Sequence, residues 1–131
     1  MVGHDTGPHG ELTLRTLAMP ADTNVNGDIF GGWVLSQMDL AGGIAGGLRA
    51  KGRVATVAVD SMKFISPVRV GDVLCVHTRI LRVGTTSMGV EVEAWVLRDR
   101  IGRREKVTEA LFTFVAIDDE GRPRPVPPEG D

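Results

Sequence analysis

Alternating apolar and polar positions predict a set of β-strands in this chain. The clearest strand is Thr86–Arg98, where small or apolar residues at every second position share one face, and Leu12–Leu17 shows the same alternation. β-Branched residues are frequent in three further runs, Arg53–Ile65, Asp72–Val83 and Arg104–Ile117. The glycine-containing connections between the last four runs are too short for crossover helices. Consecutive strands among these four are therefore predicted to pair antiparallel.

A helical period replaces the alternation from Ile29 to about Lys51, where apolar residues recur at intervals of three and four and no proline interrupts. Gly52 is predicted to be its C-cap. Each interior glycine costs about 0.5–1 kcal/mol relative to alanine, so packing against the sheet must compensate. The pattern therefore predicts an α+β fold, in which a curved antiparallel sheet of five to six strands wraps one long helix.

Composition and length indicate one globular domain. Of the 131 residues, 42% are apolar and 24% charged. The domain is predicted to span residues 12–117, with a disordered N-terminal tail at 1–11 and a Pro-rich, extended C-terminal tail at 118–131. Proline, glycine and polar residues without periodicity mark both tails.

Charge and cysteine content limit the function. The formal net charge is −2, which argues against a nucleic-acid partner, and no run approaches the ~18 apolar residues of a membrane span. The basic cluster Arg98–Lys106 is interrupted by acids and is interpreted as a solvated hairpin tip. Cys75 is the single cysteine, so no intramolecular disulfide or thiolate metal cluster can form. These features predict a cytoplasmic protein without membrane insertion or a metal site.

Asp39 is the one acidic residue of the predicted helix. The positions that share its face, at i+3, i+4, i+7 and i+8, are all glycine: Gly42, Gly43, Gly46 and Gly47. The ordinary interpretation is an exposed or loop-bonded aspartate beside glycines that serve packing. The alternative is a carboxylate beside a bare strip of helix, against which something narrow lies. The sequence alone favours the two interpretations about equally.

The start of the helix offers a second candidate feature. Unpaired backbone N–H groups and a partial positive charge gather at a helix N-terminus, and Gly31 and Gly32 would let a substrate oxygen approach them. The alternative is a plain loop-to-helix junction with Asp28 as the cap. The surrounding sequence is neither a Walker A loop nor a dinucleotide-binding motif.

The remaining chemistry is sparse. His77 and Cys75 are interpreted as structural, and no Ser-His-Asp set is apparent. A carboxylate, a side-chain amide, backbone donors and the hydroxyls of Thr85, Thr86 and Ser87 remain. This set suits hydrolysis, by activated water, of an already reactive carbonyl such as a thioester.

Several stretches together resemble one known family. They are MPADTNVNGDIFGGWVLSQMDLAGG, ATVAVDSMKFISP, VGD at 70–72, GTTSM at 84–88 and TEALFTFVAIDDEGRPRPVP. In combination the chain is similar to the YciA-like and brain-acyl-CoA-hydrolase-like acyl-CoA thioesterases of the hotdog fold, over about Leu12–Pro127. The resemblance implies hydrolysis of acyl-CoA to free CoA and a carboxylic acid, without a cofactor. It also implies a dimer that pairs its sheets edge to edge, commonly within a trimer of dimers.

The resemblance also implies roles for particular residues. Asp39 matches the family's catalytic aspartate, and Asn24 its catalytic asparagine, which comes from the other protomer. Gly32 would offer its backbone N–H to the thioester oxygen. Substrate-binding positions would be Phe30, Gly31, Gly84, Thr85, Thr86 and Ser87. Apart from the resemblance, the CoA phosphates need cations near the mouth of the cleft, and Lys63, Arg82 and Arg98 are candidates for them.

Two other functions stay open on the sequence. A hotdog hydratase or dehydratase would act on similar thioesters, but it usually needs a catalytic histidine, and none lies between Asn24 and Gly52. A non-catalytic acyl-CoA sensor could use the same pocket. Binding of CoA without turnover on any chain length would favour the sensor.

Overall fold

Within the part of the chain that the structure describes, one long helix packs against five antiparallel strands. The computed structural model describes residues 7–98 and 102–130. The elements are β1 (Glu11–Leu17), a 3₁₀ turn (Pro20–Asp22), α1 (Gly31–Ala50), β2 (Val54–Phe64), β3 (Val73–Val83), β4 (Ser87–Arg98) and β5 (Arg103–Ala116). The predicted fold class is confirmed, and the predicted bounds lie within two residues of the observed ones at every end.

The strand order in the sheet is β1-β3-β4-β5-β2. β2 pairs with β5 and β3 pairs with β1, so the prediction that β2 and β3 are neighbours is wrong. The sheet curls around α1, and the 65–72 connection passes from one side of the sheet to the other. On the way it meets the start of the helix, where the Val68 carbonyl accepts a 2.9 Å hydrogen bond from the Ile29 N–H. A connection across the sheet thus stands where the spacing predicted a tight hairpin between β2 and β3.

The core lies between α1 and the inner face of the sheet. The alternating inner positions of β4 are fully buried, as the sequence pattern predicts: Met88, Val90, Val92, Ala94 and Val96. Gly42 makes room for an aromatic ring, because a Cβ atom there would lie 2.8 Å from the ring of Phe114. A Cβ atom on Gly46 would lie 3.7 Å from the same side chain, which is an ordinary contact distance. Close approach of helix and sheet therefore compensates for the poor helix propensity of glycine.

Both ends of α1 differ from the prediction. The N-cap residue is Phe30, which gives no side-chain hydrogen bond, so the alternative with Asp28 as cap is wrong. At the other end Lys51, not Gly52, has the left-handed conformation (φ 56°). A Cβ atom on Gly52 would lie 2.5 Å from the Arg124 guanidinium, so a side chain there would have to displace the end of that arginine. That guanidinium donates a 2.9 Å hydrogen bond to the Ala50 carbonyl at the helix end.

β2 is an edge strand with exposed apolar side chains. The exposed fraction is 58% for Val57 and 39% for Val59. Among the described residues, no helix is long and apolar enough to cross a membrane. Near the termini, the His9 N–H donates to Glu93 and the Val126 N–H donates to the Thr85 carbonyl. Residues 1–6 of the predicted N-terminal tail lie outside the described residues.

Candidate active site

Asp39 lies in the middle of α1, and its carboxylate is held from the sheet. The Thr56 hydroxyl of β2 donates a 2.6 Å hydrogen bond to Oδ1 of Asp39. Asp39 is half-buried, so the carboxylate is accessible while one oxygen has a fixed partner. Sequence reasoning missed Thr56, although it lies in the ATVAVDSMKFISP stretch. The order of the strands decides this contact, because β2 is the edge strand beside this face of the helix.

Two cavities meet at this pair of residues. One, of about 270 Å³, is lined by Gly32, Leu35 and Val59 as well as by Asp39 and Thr56. The other, of about 460 Å³, starts from the same two residues and extends along the helix. Its further lining is Leu40, Gly43, Ile44, Gly47, Gly52, Arg53, Val54, Phe114 and Ile117. A carboxylate at the junction of two apolar cavities suits a substrate with an arm on each side of its reacting bond.

The glycine strip beside Asp39 divides into two halves. Gly42 and Gly46 are buried against the sheet, and Phe114 occupies the space that a side chain at position 42 would need. Gly43 and Gly47 line the larger cavity. The packing interpretation therefore holds for Gly42, whereas the interpretation that something narrow lies against the strip stays a prediction for the half with Gly43 and Gly47.

Gly31 and Gly32 are the first two residues of α1. Backbone N–H groups at these positions have no intrahelical acceptor, and the helix dipole adds positive charge there. The smaller cavity brings Gly32 together with Asp39. The ring of Phe30 lies beside Gly32, 3.2 Å from where a Cβ atom would be. A carboxylate and a residue of the first helical turn therefore line one cavity.

Asn24 lies elsewhere on the same chain. Its Oδ1 accepts hydrogen bonds from the backbone N–H groups of Asn26 (2.9 Å) and Asp28 (3.2 Å). It lines a cavity of about 380 Å³ with Gly31 and the Phe64–Val68 segment, and that cavity does not include Asp39. A single chain therefore does not bring Asn24 and Asp39 into one cavity.

The other sequence-predicted binding residues also lie away from Asp39. In the 84–87 turn the Gly84 N–H donates to the Ser87 carbonyl, and the Thr86 carbonyl accepts the Ala116 N–H. None of Gly84, Thr85, Thr86, Ser87, Lys63 and Arg82 lines either cavity that contains Asp39. Arg98 is only 8% exposed and forms ion pairs within the chain, so the interpretation of Arg98 as a solvated or phosphate-binding residue is wrong.

One group on the outer face of the sheet has the composition of a metal site. Ligand atoms of His9, Glu91 and Glu93 lie within 4.8 Å of one another. Glu93 already accepts hydrogen bonds from the His9 N–H and from Trp95 Nε1, and Arg79 forms a 2.9 Å ion pair with Glu91. Both carboxylates therefore have partners within the chain, and the cluster is interpreted as structural.

Comparisons with known proteins identify the family of the chain. The family profile described as "Thioesterase superfamily" matches residues 26–102. The chain is 55% identical to the acyl-CoA thioester hydrolase YciA of Salmonella typhimurium over 133 residues, covering 99% of this chain and all of that protein.

Two crystal structures have the same fold. The hexameric thioesterase of Yersinia pestis is 55% identical, with a TM-score of 0.87 over 92% of this chain and 98% of the other. The hexameric hotdog-fold thioesterase of Campylobacter jejuni is 43% identical, with a TM-score of 0.85 over 90% and 91%. The helix wrapped by a five-stranded sheet is thus the hotdog fold. The chain belongs to the thioesterase superfamily and, within it, to the YciA-like acyl-CoA thioester hydrolases.

Proposed function

We propose that this protein hydrolyses acyl-CoA thioesters to free CoA and a carboxylic acid, with Asp39 as the catalytic carboxylate. The single observation that carries the proposal is the cavity shared by Asp39, Thr56 and Gly32. It joins a carboxylate to the backbone donors of a helix N-terminus, which are the two groups that attack on a carbonyl requires. The activity printed for the Salmonella relative supports the choice of acyl-CoA as substrate.

In the proposed reaction the Gly32 N–H and the helix dipole stabilise negative charge on the thioester oxygen. On one route Asp39 deprotonates a water molecule that attacks the carbonyl carbon, the bond to sulfur breaks, and the carboxylic acid is released directly. On the other route Asp39 itself attacks the carbonyl carbon, the bond to sulfur breaks to leave a mixed anhydride, and water then hydrolyses the anhydride to release the acid and restore Asp39. On both routes CoA leaves as the thiolate, which takes up a proton. Thr56 holds Oδ1 of Asp39 throughout, so that the other carboxylate oxygen faces the substrate.

The second half of the site is proposed to come from another copy of the chain. Asn24 does not share a cavity with Asp39 within one chain, and β2 presents an open edge with exposed Val57 beside Thr56. Pairing of two β2 edges would extend the sheet across both chains and cover these side chains. Asn24 of one chain would then orient the water or the carbonyl at Asp39 of the other.

The proposed dimers would assemble further into a trimer of dimers, as the hexameric relatives suggest. Light scattering on the purified protein measures the mass directly. A charged substitution at the open edge, Val57→Arg, would lower both the mass and the activity if the β2 edges pair. A variant that keeps its mass and its activity would contradict edge pairing.

The proposed function is tested by thiol release from short-, medium- and long-chain acyl-CoA substrates. Asp39→Asn preserves size and removes the charge, and we expect kcat to fall by roughly 100-fold or more. Full activity of this variant would overturn the catalytic assignment. Tight binding of acyl-CoA without turnover on any chain length would instead identify a sensor.

A further inference from the structure

Arg98 is a buried cation that the proposed reaction does not use. It ends β4, and its guanidinium is directed at three acceptors from different parts of the chain. Nε lies 3.3 Å from Asp72, Nη1 lies 2.8 Å from Glu105, and Nη2 donates to the Pro67 carbonyl. Arg98 and Asp72 are 8% and 7% exposed. Burying such a pair costs desolvation energy, so a buried ion pair is weak evidence for stability and calls for another role.

The three charged residues hold one segment, the 65–72 connection between β2 and β3. The Arg98 contact to the Pro67 carbonyl holds its middle. Asp72 accepts a 2.8 Å hydrogen bond from the Arg69 N–H, and Glu105 is hydrogen bonded by the Ser66 side chain. The cluster therefore fixes this connection at several positions along its length.

The connection in turn meets the residues that begin α1. The Val68 carbonyl accepts the 2.9 Å hydrogen bond from the Ile29 N–H, two residues before the helix. At the end of β2 the Phe64 ring lies against Gly31, 3.0 Å from where a Cβ atom would be. The first helical turn, which includes Gly32, thus rests on a segment that Arg98 holds in place.

We propose that Arg98 and Asp72 are positioning residues, which set the location of the Gly32 N–H through the 65–72 connection. This inference rests on the proposed function, in which that N–H stabilises the thioester oxygen. Neither residue lines a cavity with Asp39, so they act through Ile29 and Gly31 and not by contact with substrate. A displacement of about 1 Å in such a donor can cost roughly 100-fold in rate.

The test compares steady-state kinetics of Arg98→Lys and Asp72→Asn with wild type. Lysine keeps the charge but cannot hold three acceptors in the plane of a guanidinium. We expect kcat per folded protein to fall roughly tenfold or more, with KM changed less than about twofold, because the donor acts mainly in the transition state. The acid limb of the kcat–pH profile should stay in place, because the cluster does not contact Asp39 or Thr56.

The matched control is Arg79→Lys, which alters the 2.9 Å ion pair with Glu91 on the outer face of the sheet. It should leave kcat unchanged. Glu105→Gln removes a charge at a more exposed position and keeps the series interpretable if Arg98→Lys does not fold. A lower melting temperature with wild-type kcat per folded protein in these variants would overturn the positioning role.

Asp39→Asn belongs in the same series, because it separates this inference from the proposed function. If wild type turns over and Asp39→Asn does not, normal kcat values for the cluster variants contradict the positioning role alone. Absence of wild-type turnover on every acyl-CoA would contradict both.

Discussion

The Thr56 hydroxyl and the Asp39 carboxylate are joined by a 2.6 Å hydrogen bond between the edge strand and the central helix. It links the element that carries the carboxylate to the strand that borders both cavities. The bond directs one carboxylate oxygen toward the protein, and in the proposed reaction the other oxygen acts on the substrate. Its contribution can be measured, because threonine has an isosteric apolar substitute.

Thr56→Val removes this hydrogen bond and keeps the volume of the side chain. A hydrogen bond to a charged group contributes about 1.5–3 kcal/mol, so we expect kcat to fall by roughly 10- to 100-fold with little change in KM. Thr56→Ser keeps the hydroxyl and should retain most of the rate. Equal rates for the valine variant and wild type would show that the Thr56 hydroxyl does not contribute to the reaction.

Mixing two inactive variants tests whether the site spans two chains. Asp39→Asn and Asn24→Ala should each be inactive alone. If each site takes Asp39 from one chain and Asn24 from its partner, half of the randomly formed dimers have one intact site of two. Co-refolded or co-expressed variants should then recover about a quarter of wild-type activity.

The same mixture gives a clear contrary result. If both residues act within one chain, no combination of the two variants contains an intact site. Activity should then stay at the level of the single variants, whatever the mixing ratio.

Neighbouring glycines of α1 should respond to alanine with opposite signs. In Gly42→Ala the new Cβ atom would lie 2.8 Å from the buried Phe114 ring, and we expect a loss of about 1–3 kcal/mol in the free energy of unfolding. In Gly43→Ala the nearest atom is 3.9 Å away, so the gain in helix propensity, about 0.5–1 kcal/mol, should dominate.

Urea unfolding at a fixed protein concentration measures both variants, since association affects the apparent stability. Stabilisation by Gly42→Ala would show that the ring of Phe114 can move aside without cost. Destabilisation by Gly43→Ala would show that the larger cavity is filled in the assembled protein.

His77 should make stability depend on pH. Burial lowers its pKa below the usual value of 6.5, against the opposing effects of the Gly10 carbonyl and Glu93. The folded chain then binds this proton less readily than the unfolded chain. As the pH falls below about 6.5, the proton on the unfolded chain reduces the free energy of unfolding, down to the folded pKa.

The variant His77→Gln removes the titrating imidazole. The decline in unfolding free energy between about pH 7.5 and about pH 5.5 should be less steep than in wild type. Above about pH 7.5 the two proteins should have parallel profiles, since histidine is neutral in both states there. An equal decline in both proteins would show that His77 does not contribute.

The sequence predicts those parts of the molecule that depend on local pattern. The alternation in Thr86–Arg98 identifies the inner face of β4, and the helical period places α1 within two residues. The face shared by Asp39 and the glycines is also local, since it follows from helix geometry. These features can be predicted from the periodicity with which side chains point to one face of a helix or a strand.

Other features depend on which segments meet in three dimensions. β2 lies beside β5 because the 65–72 connection carries the chain across the sheet, and the contact between Thr56 and Asp39 depends on that order. Arg98 occurs in a charged run that is typical of an exposed hairpin tip. It is buried because Asp72 and the Pro67 carbonyl, far away in sequence, supply its acceptors.

The packing of Phe114 against Gly42 has a consequence for how the sequence can diverge. The ring occupies the volume that the helix leaves empty, so neither position can change size alone without an overlap or a void. Homologues with a side chain at position 42 should therefore carry a smaller residue at position 114. Covariation between these two positions would show that the distance between helix and sheet has been kept as the sequences diverged.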